Sequence, residues 1–224
     1  MPDKHTRIRR GNKEDAQQVR ENLLQVAMEM FESQGVEGVS VRAVAARVGM
    51  SPMALYRYFE NRRELLRALW FMIIHDLKDY LCKSIPPTGS ARLRHRGMIR
   101  AFLDYWSEHP ERFWLAYETQ GLDGPLKPFP VAESHTATYL STVNLFRSLT
   151  AEVARELGVA DHEANMASDL CMTMMFGFLN SSMVNRRYPW TDMARMKEIF
   201  IEQTAQSVER FLLETGQSNA DQSN

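Results

Sequence analysis

Apolar residues recur every three or four positions through most of the chain, which is the spacing of an amphipathic α-helix. The first such segment runs from about Asp15 to Gln34 and is predicted to end at Gly35, which can adopt the left-handed backbone conformation. Its predicted core positions are Val19, Leu23, Val26, Ala27, Met30 and Phe31. No segment alternates apolar and polar residues as a half-buried strand does. The pattern predicts an all-α fold of about nine helices.

Two short helices separated by a glycine are predicted to follow. Ser40 is placed to cap the first, and Gly49 can end it. Ser51 is placed to cap the second, with Pro52 at the first helical position, where its missing N–H costs nothing. The apolar positions of the pair are Val41, Val44, Ala45, Val48, Leu55 and Phe59. This arrangement is typical of a helix-turn-helix, and the remaining basic and aromatic side chains suit a DNA groove.

A long fourth helix is predicted next. Asn61 and Glu64 form a capping-box arrangement at its start, and the Pro86-Pro87 pair ends it. Its apolar positions are Leu65, Leu69, Met72, Ile73, Leu77 and Leu81. Five further helices are predicted to begin near Ser90, Pro110, Glu133, Asp161 and Thr191, with Asp161 and Thr191 as caps. The chain is thus predicted to form a three-helix head joined by helix 4 to a C-terminal helical bundle that ends near Thr215.

The run Val-Gly-Met-Ser-Pro-Met-Ala-Leu-Tyr-Arg-Tyr-Phe-Glu-Asn-Arg, which ends at Arg62 and is followed by Glu64-Leu65-Leu66, closely resembles the DNA-binding domain of TetR-family transcriptional regulators. The resemblance covers roughly residues 14 to 70, and beyond them it is only architectural. It implies a bacterial regulator with a helix-turn-helix domain (14–63) and a helical ligand-binding and dimerisation domain (64–215). The charge of residues 1–13 predicts a flexible basic arm before them, and the Gln/Ser/Asn-rich residues 216–224 predict a disordered tail.

The resemblance assigns DNA contacts to nine residues: Ser40, Arg42, Ser51, Pro52, Met53, Tyr56, Arg57, Tyr58 and Arg62. Arg42 is expected to read a base, because a guanidinium matches the two acceptors of guanine. Arg62 stands where a lysine of the family commonly contacts a phosphate. Met53 stands where the family often has a small residue, and its side chain can contact a thymine methyl group. The alternative for the aromatic residues is a place in the core of a small helical domain.

Charge is distributed unevenly along the chain. The net charge is −1, but residues 1–63 hold 11 Lys and Arg against 8 Asp and Glu. Residues 1–13 alone hold five basic residues against one acidic residue. Such an arm suits contact with phosphates, and the alternative is a solvated tail that only aids solubility.

Aromatic and methionine side chains are concentrated in the predicted bundle. Taken alone, they are typical of a bundle core. Because the family resemblance implies an effector bound between body helices, a mainly apolar site is predicted at Phe102, Trp106, Phe113, Tyr117, Met172, Met175 and Phe176. The effector is expected to be a small hydrophobic molecule with few hydrogen-bonding groups.

A homodimer through the last two helices is expected from the same resemblance. Small residues on helix 8, Gly177, Ser181 and Ser182, permit close approach of a partner. Helix 9 offers the apolar positions Ile199, Phe200, Ala205, Val208, Leu212 and Leu213. Packing within the chain is the alternative, but a helix-turn-helix of this type needs two copies to read a palindrome in double-stranded DNA.

Several functional classes find no support in the sequence. No motif pairs a nucleophile with a base, binds phosphate through glycines or has metal-ligand spacing, so no enzyme, cofactor or metal is predicted. The longest apolar run, 170–179, is far shorter than the roughly 20 residues of a membrane span, and no secretory signal is evident. A cytoplasmic protein with two unpaired cysteines, Cys82 and Cys171, is therefore expected.

The sequence thus predicts a DNA-binding transcriptional repressor that a small apolar effector releases from its operator. A ligand-independent DNA-occupancy or architectural protein is the alternative. The sequence does not decide between repressor and activator, nor does it identify the effector or the operator.

Overall fold

The computed structural model describes the backbone of residues 4–118, 133–185 and 187–222. Within these ranges the regular structure is helical and includes no strand, which confirms the predicted all-α class. The α-helices are α1 (Lys4–Gly38), α2 (Val41–Arg47), α3 (Pro52–Tyr56), α4 (Arg62–Ser84), α5 (Ala91–Glu108), α6 (Pro110–Phe113), α7 (Glu133–Glu156), α8 (Ala164–Val184) and α9 (Met193–Gln222). A π-helical turn covers Trp114–Glu118, and a 3-10 turn covers Asp161–Glu163.

The chain divides into two compact units. The head unit comprises Met1–Ile73 and Glu111–Phe129, and the body unit comprises Ile74–Pro110 and Pro130–Asn224. Helix α4 is continuous across the boundary and contributes residues to both units. The units differ from the segments expected from the sequence, since residues 64–73 and the segment after Pro110 group with the helix-turn-helix.

Apolar side chains from α1, α2, α3 and the start of α4 form the core of the head unit. Its almost completely buried members include Leu23, Ala27, Phe31, Val44, Ala45, Leu55, Phe59, Leu65 and Leu69. Two predicted core positions, Val19 and Val26, are only half-buried, whereas Leu24 and Met28 are buried. The buried stripe of α1 is therefore centred slightly to one side of the predicted one.

Helices α1, α8 and α9 have ends that differ from their predicted places. Helix α1 begins at Lys4, where a flexible arm was expected; residues 4–14 include no proline to interrupt a helix. The predicted phosphate contacts of the arm lie outside the described residues, which exclude residues 1–3 and the side chains of residues 4–14. Helix α8 begins after the 3-10 turn with Glu163, not Asp161, at its cap position.

Helix α9 begins one residue later than predicted and extends farther. The cap is Asp192 instead of Thr191, because the Asp192 carboxylate accepts a hydrogen bond from the Arg195 N–H at 2.9 Å. The helix continues past Gly216 to Gln222, where a disordered tail was predicted. A Cβ at position 216 would lie 3.1 Å from the Val159 side chain, so glycine permits a close approach here without ending the helix.

The body unit packs α5 against α7, α8 and α9, with α8 also in contact with α7 and α9. Phe102 of α5 lies among other aromatic rings, with centroid distances of 6.1 Å to Trp106, 5.4 Å to Phe146 and 5.8 Å to Phe176. Ion pairs also join α5 to α9: Arg92 with Glu209, Arg96 with Glu202, Arg100 with Glu198 and Asp104 with Lys197. The four α5 residues are spaced four apart and therefore share one face, which fixes the register of the two helices.

Candidate nucleic-acid interface

The turn between α2 and α3 is fixed by local hydrogen bonds. The Ser40 hydroxyl accepts from the Ala43 N–H at 3.1 Å, and the Ser51 hydroxyl accepts from the Ala54 N–H at 3.2 Å, so both predicted N-caps are confirmed. Gly49 has a φ of 69°, and the N–H of Met50 donates to the carbonyl of Ala45 at 2.9 Å. This is the hydrogen-bond pattern of a helix ended by a left-handed glycine.

Helix α3 has one buried face and one exposed face. Leu55 on the helix and Phe59, three residues after its end, are fully buried and anchor the helix in the core of the head unit. On the other side Met53 is 77% exposed and Tyr56 is 41% exposed. Tyr58 is half-buried. Of the aromatic residues, Phe59 thus belongs to the core, whereas Tyr56 is accessible to a partner.

The exposed surface around α2 and α3 is strongly basic. Residues 40–63 include five arginines and one acidic residue, Glu60. Arg42 and Arg57 are exposed, and neither forms an ion pair with any residue that the structure describes. Ser51 and Pro52 are exposed beside them. Unpaired arginines next to an exposed helix are the arrangement that attracts DNA phosphates.

Arg62 has a different environment from the other predicted DNA contacts. Its Nη2 donates to the Val36 carbonyl at 2.6 Å, and its Nε donates to the Val39 carbonyl at 2.8 Å. The Asn61 side chain accepts from the Glu64 N–H at 2.9 Å, which confirms the predicted cap of α4. The first residue of α4 is therefore bonded both to the last turn of α1 and to the connection between α1 and α2.

Arg20 contributes to the head unit in a way that sequence reasoning missed. Its guanidinium carbon lies 5.0 Å from the centre of the Phe59 ring, which is a cation–π distance. The two residues are separated by 39 positions, and nothing local in the sequence indicates their contact. The interaction holds α1 beside the aromatic residue that follows α3 and anchors it in the core.

The residues predicted to bind an effector are divided between the two units. Phe113 and Tyr117 belong to the head unit, where their rings lie 5.3 Å apart. The other five belong to the body unit, where Phe102 contacts Trp106 and Phe176. Four of the seven are almost completely buried: Phe102, Trp106, Phe113 and Met175. Met172, Phe176 and Tyr117 retain exposed surface and are the members most accessible to a ligand.

A groove of about 330 Å³ lies in the body unit between the C-terminal part of α4 and α5. Tyr80, Arg96 and Arg100 line it, together with smaller residues, and none of the seven predicted effector-binding residues does. The guanidinium groups of the groove are paired with the α9 carboxylates described above. The groove is therefore distinct from the predicted effector site.

The segment that carries Phe113 and Tyr117 is bonded to helices of the head unit. The Trp70 indole N–H donates to the Ala116 carbonyl at 3.1 Å. The Arg112 Nε donates to the Glu32 carboxylate at 3.1 Å. One bond thus reaches α4 and the other reaches α1, so a displacement of this segment would act directly on two helices of the head unit.

The predicted dimerisation residues separate into exposed and buried groups. On α8, Gly177 and Ser181 are exposed, as are the apolar side chains of Met166, Leu170 and Val184. On α9, Ile199 and Leu213 are exposed. Three other predicted members, Ala205, Val208 and Leu212, are fully buried within the chain. Assigning these three to a dimer surface is wrong, because they belong to the core of the body unit.

No group of three His, Cys, Asp or Glu residues in the described ranges is arranged to hold a metal ion. Nor does any described helix combine the length and the apolar character needed to cross a bilayer. Both cysteines are free; Cys82 is exposed, and burial raises the pKa of the Cys171 thiol to about 12.

Residues 23–69 match the family described as "Bacterial regulatory proteins, tetR family". The chain is 27% identical over 158 residues to the HTH-type transcriptional activator FasR of Mycolicibacterium smegmatis, an alignment that covers 70% of this chain and 69% of the relative. It is 31% identical over 88 residues to the tetracycline repressor protein class D of Escherichia coli, which covers 38% of this chain and 40% of that protein.

Solved structures resemble the fold over almost the full chain. A protein with unknown function from Rhodococcus sp. RHA1 aligns with a TM-score of 0.69 and 20% sequence identity. The alignment covers 86% of this chain and 94% of that protein. At this level of identity, the likeness concerns the arrangement of helices alone.

Proposed function

This chain belongs to the TetR family of bacterial regulatory proteins, and we propose that it is a transcriptional repressor whose affinity for a palindromic operator falls when a small, mainly apolar effector binds. The proposal rests above all on one observation in the head unit. Helix α3 is anchored by Leu55 and Phe59, presents Met53 and Tyr56 to solvent, and lies beside arginines without a carboxylate partner among the described residues. This arrangement suits a recognition helix, which is the helix of the pair that enters a major groove.

The proposed contacts fall into two chemical groups. Arg42 is the proposed base reader, with Met53 as an apolar contact to a thymine methyl group. Ser40, Ser51, Pro52, Tyr56, Arg57 and Tyr58 are proposed to contact the sugar-phosphate backbone. Backbone contacts orient the head on DNA, whereas the base contacts carry the sequence preference.

Replacing Arg42 by alanine should relax the preference at one base pair by roughly 1–3 kcal/mol, because a bidentate contact to guanine is lost. Gel-shift titrations with the operator and its single-base variants measure this preference. Arg47→Ala is the matched control, since Arg47 is also exposed on α2 and the substitution removes the same charge. If Arg42→Ala retains the base preference of the wild type, Arg42 is not a base reader.

A homodimer formed by exposed faces of α8 and α9 is proposed to place two heads on the two halves of the operator. The supporting residues are the small and apolar ones that the chain leaves exposed, Gly177, Met166 and Leu170 on α8 and Ile199 and Leu213 on α9. A twofold dimer presents its recognition helices symmetrically, so the operator should be an inverted repeat. Because chromosomal DNA is the proposed target, the proposed site of action is the cytoplasm.

Effector binding is proposed to shift the population between two states of the dimer. An apolar molecule that contacts Tyr117 would bias the segment that carries this residue, which the bonds of Trp70 and Arg112 join to α4 and α1. It would also bias α4, which contributes to both units. In one state the two heads match the two halves of the operator, and in the other they do not. DNA affinity falls only to the extent that the effector binds the second state more tightly.

A compound screen tests the effector proposal. Fluorescence anisotropy of a labelled operator duplex measures whether each compound releases the duplex from the protein. Apolar compounds should release the duplex, and Phe176→Leu should alter the concentration required while leaving DNA affinity without compound unchanged. Trp106 is a poor choice for this test, because removing a fully buried tryptophan costs ~3–5 kcal/mol of stability. A duplex that no compound releases would favour the ligand-independent DNA-occupancy protein instead.

A second candidate function, transcriptional activation, is supported by the relative from Mycolicibacterium smegmatis, whose name describes an activator. The two functions share the DNA-binding head and differ in where the operator lies relative to the promoter. Transcription in vitro from a promoter carrying the selected operator separates them: a repressor lowers the transcript yield, and an activator raises it.

A further inference from the structure

Helix α1 ends in a way that leaves backbone carbonyl groups in need of partners. Gly35 has a φ of 71° and a ψ of −175°, which interrupts the helix before its last residues. The Val39 N–H donates to the Val36 carbonyl at 3.3 Å and forms a tight turn. Carbonyl groups at the C-terminal end of a helix lack intrahelical donors, so they are satisfied by water or by side chains.

Arg62 supplies donors to one carbonyl group near the end of α1 and to one just after it. Nη2 binds the Val36 oxygen at 2.6 Å, and Nε binds the Val39 oxygen at 2.8 Å. The Glu37 carboxylate lies 3.6 Å from Nη2 but is largely exposed, so that ion pair contributes little. A planar guanidinium can bridge two oxygens at fixed angles, whereas the ammonium group of lysine is a single point of charge.

The position of these two bonds gives them a consequence for DNA recognition. Val39 has a fully buried side chain and directly precedes Ser40, the N-cap of α2. Arg42, the proposed base reader, follows two residues later. Arg62 is the first residue of α4, so its side chain ties the start of α4 to the start of α2 across 23 and 26 positions of sequence.

We propose that Arg62 is a positioning residue, which holds α2 and the following recognition helix in the geometry that discriminates bases, and that it is not a phosphate contact. This inference rests on the proposed DNA binding of the head. A phosphate contact requires only a positive charge at this position. A positioning role requires the forked donor, so lysine and arginine should behave differently.

The test compares Arg62→Lys and Arg62→Gln with the wild type, in the full-length chain. For each protein, the dissociation constants for a selected operator duplex and for a duplex of unrelated sequence are measured at several salt concentrations. Arg63→Gln is the control, because Arg63 is the exposed neighbour and loses the same charge. Circular dichroism reports whether each variant is folded.

We expect both Arg62 variants to lower the ratio of specific to non-specific affinity by about tenfold, the discrimination that one bidentate base contact supplies. The salt dependence of non-specific binding should match the wild type, and Arg63→Gln should retain the wild-type ratio. If Arg62→Lys fails to fold while Arg63→Gln folds, the bonds to α1 and α2 are again the cause, since a phosphate contact is not needed for folding.

The inference is overturned if Arg62→Lys binds both duplexes as the wild type does. The phosphate interpretation then gains support if Arg62→Gln weakens both duplexes equally and reduces the salt slope by about one unit. Failure of the proposed function gives a different result, because the wild type itself would then show no preference for any duplex.

Discussion

Replacing Gly177 by arginine should convert the proposed dimer into a monomer and weaken binding to the proposed operator by about 100-fold or more, the range that linking two binding sites commonly supplies. Gly177 is exposed in the middle of α8, and a Cβ at this position would meet no atom within 4 Å. The chain itself therefore accommodates a larger side chain. Arginine also favours a helix more than glycine does, so the monomer should remain folded.

The loss would arise at the surface between two copies. If α8 packs against its symmetry mate, the introduced guanidinium is buried without a partner and separates the helices. Each remaining head then binds one half-site alone. Ser148→Arg is a matched control, because it adds the same side chain to an exposed position on α7. Sedimentation and gel-shift titration measure the two effects, and a Gly177→Arg protein that stays dimeric would contradict the proposed interface.

Acid should destabilise the protein through a single buried histidine in α5. His95 is 2% exposed, and its Nε2 forms no hydrogen bond to any residue in the described ranges. Burial lowers the pKa of His95 from 6.5 to about 4. Between these two pH values the unfolded chain binds a proton that the folded chain excludes. The free energy of unfolding is therefore highest above pH 6.5 and falls as the pH approaches 4. The expected loss is about 2 kcal/mol by pH 5.

Urea denaturation at pH 7.5 and pH 5 measures this dependence. His95→Leu removes the titrating group while keeping an apolar side chain in the core, and it should lose about 2 kcal/mol less than the wild type over this interval. His75→Gln is the control, because it removes a histidine from an exposed position on α4. If the wild type and His95→Leu lose the same free energy of unfolding between pH 7.5 and pH 5, His95 is not the source of the pH dependence.

Local chemistry made much of the head predictable. Ser40, Ser51 and Asn61 lie directly before helices, and each accepts the backbone hydrogen bond expected of a cap. Gly49 has the positive φ that the turn requires. These features depend on residues only three or four positions apart, which is the range over which sequence patterns carry structural information.

Contacts between distant residues were not predictable in the same way. The family resemblance suggested a phosphate contact for Arg62, because its positive charge could be read from the sequence. Its bonds to the Val36 and Val39 carbonyl groups, which lie 26 and 23 positions away, could not. The bond between Trp70 and Ala116 likewise joins residues separated by 46 positions. It helps to explain why the segment after Pro110 groups with the head unit, although helix periodicity placed it in the bundle.

Periodicity also does not distinguish a core from an interface between copies. On α9 the apolar residues Ala205, Val208 and Leu212 face the core, whereas Ile199 and Leu213 are exposed. All five have helical spacing, so only the packed structure separates them. The predicted effector site has the same difficulty, since Phe102 and Trp106 are core residues whether or not a ligand contacts their neighbours.

The central claim is that two heads of this protein read an inverted repeat through α3 and Arg42. Selection of bound duplexes from random DNA by the full-length protein, followed by sequencing, tests it most directly. We predict enrichment of two half-sites of opposite orientation, with centres about one helical turn or a multiple of it apart. Recovery of duplexes without a shared sequence, at a yield no greater than for unrelated DNA, would contradict the account.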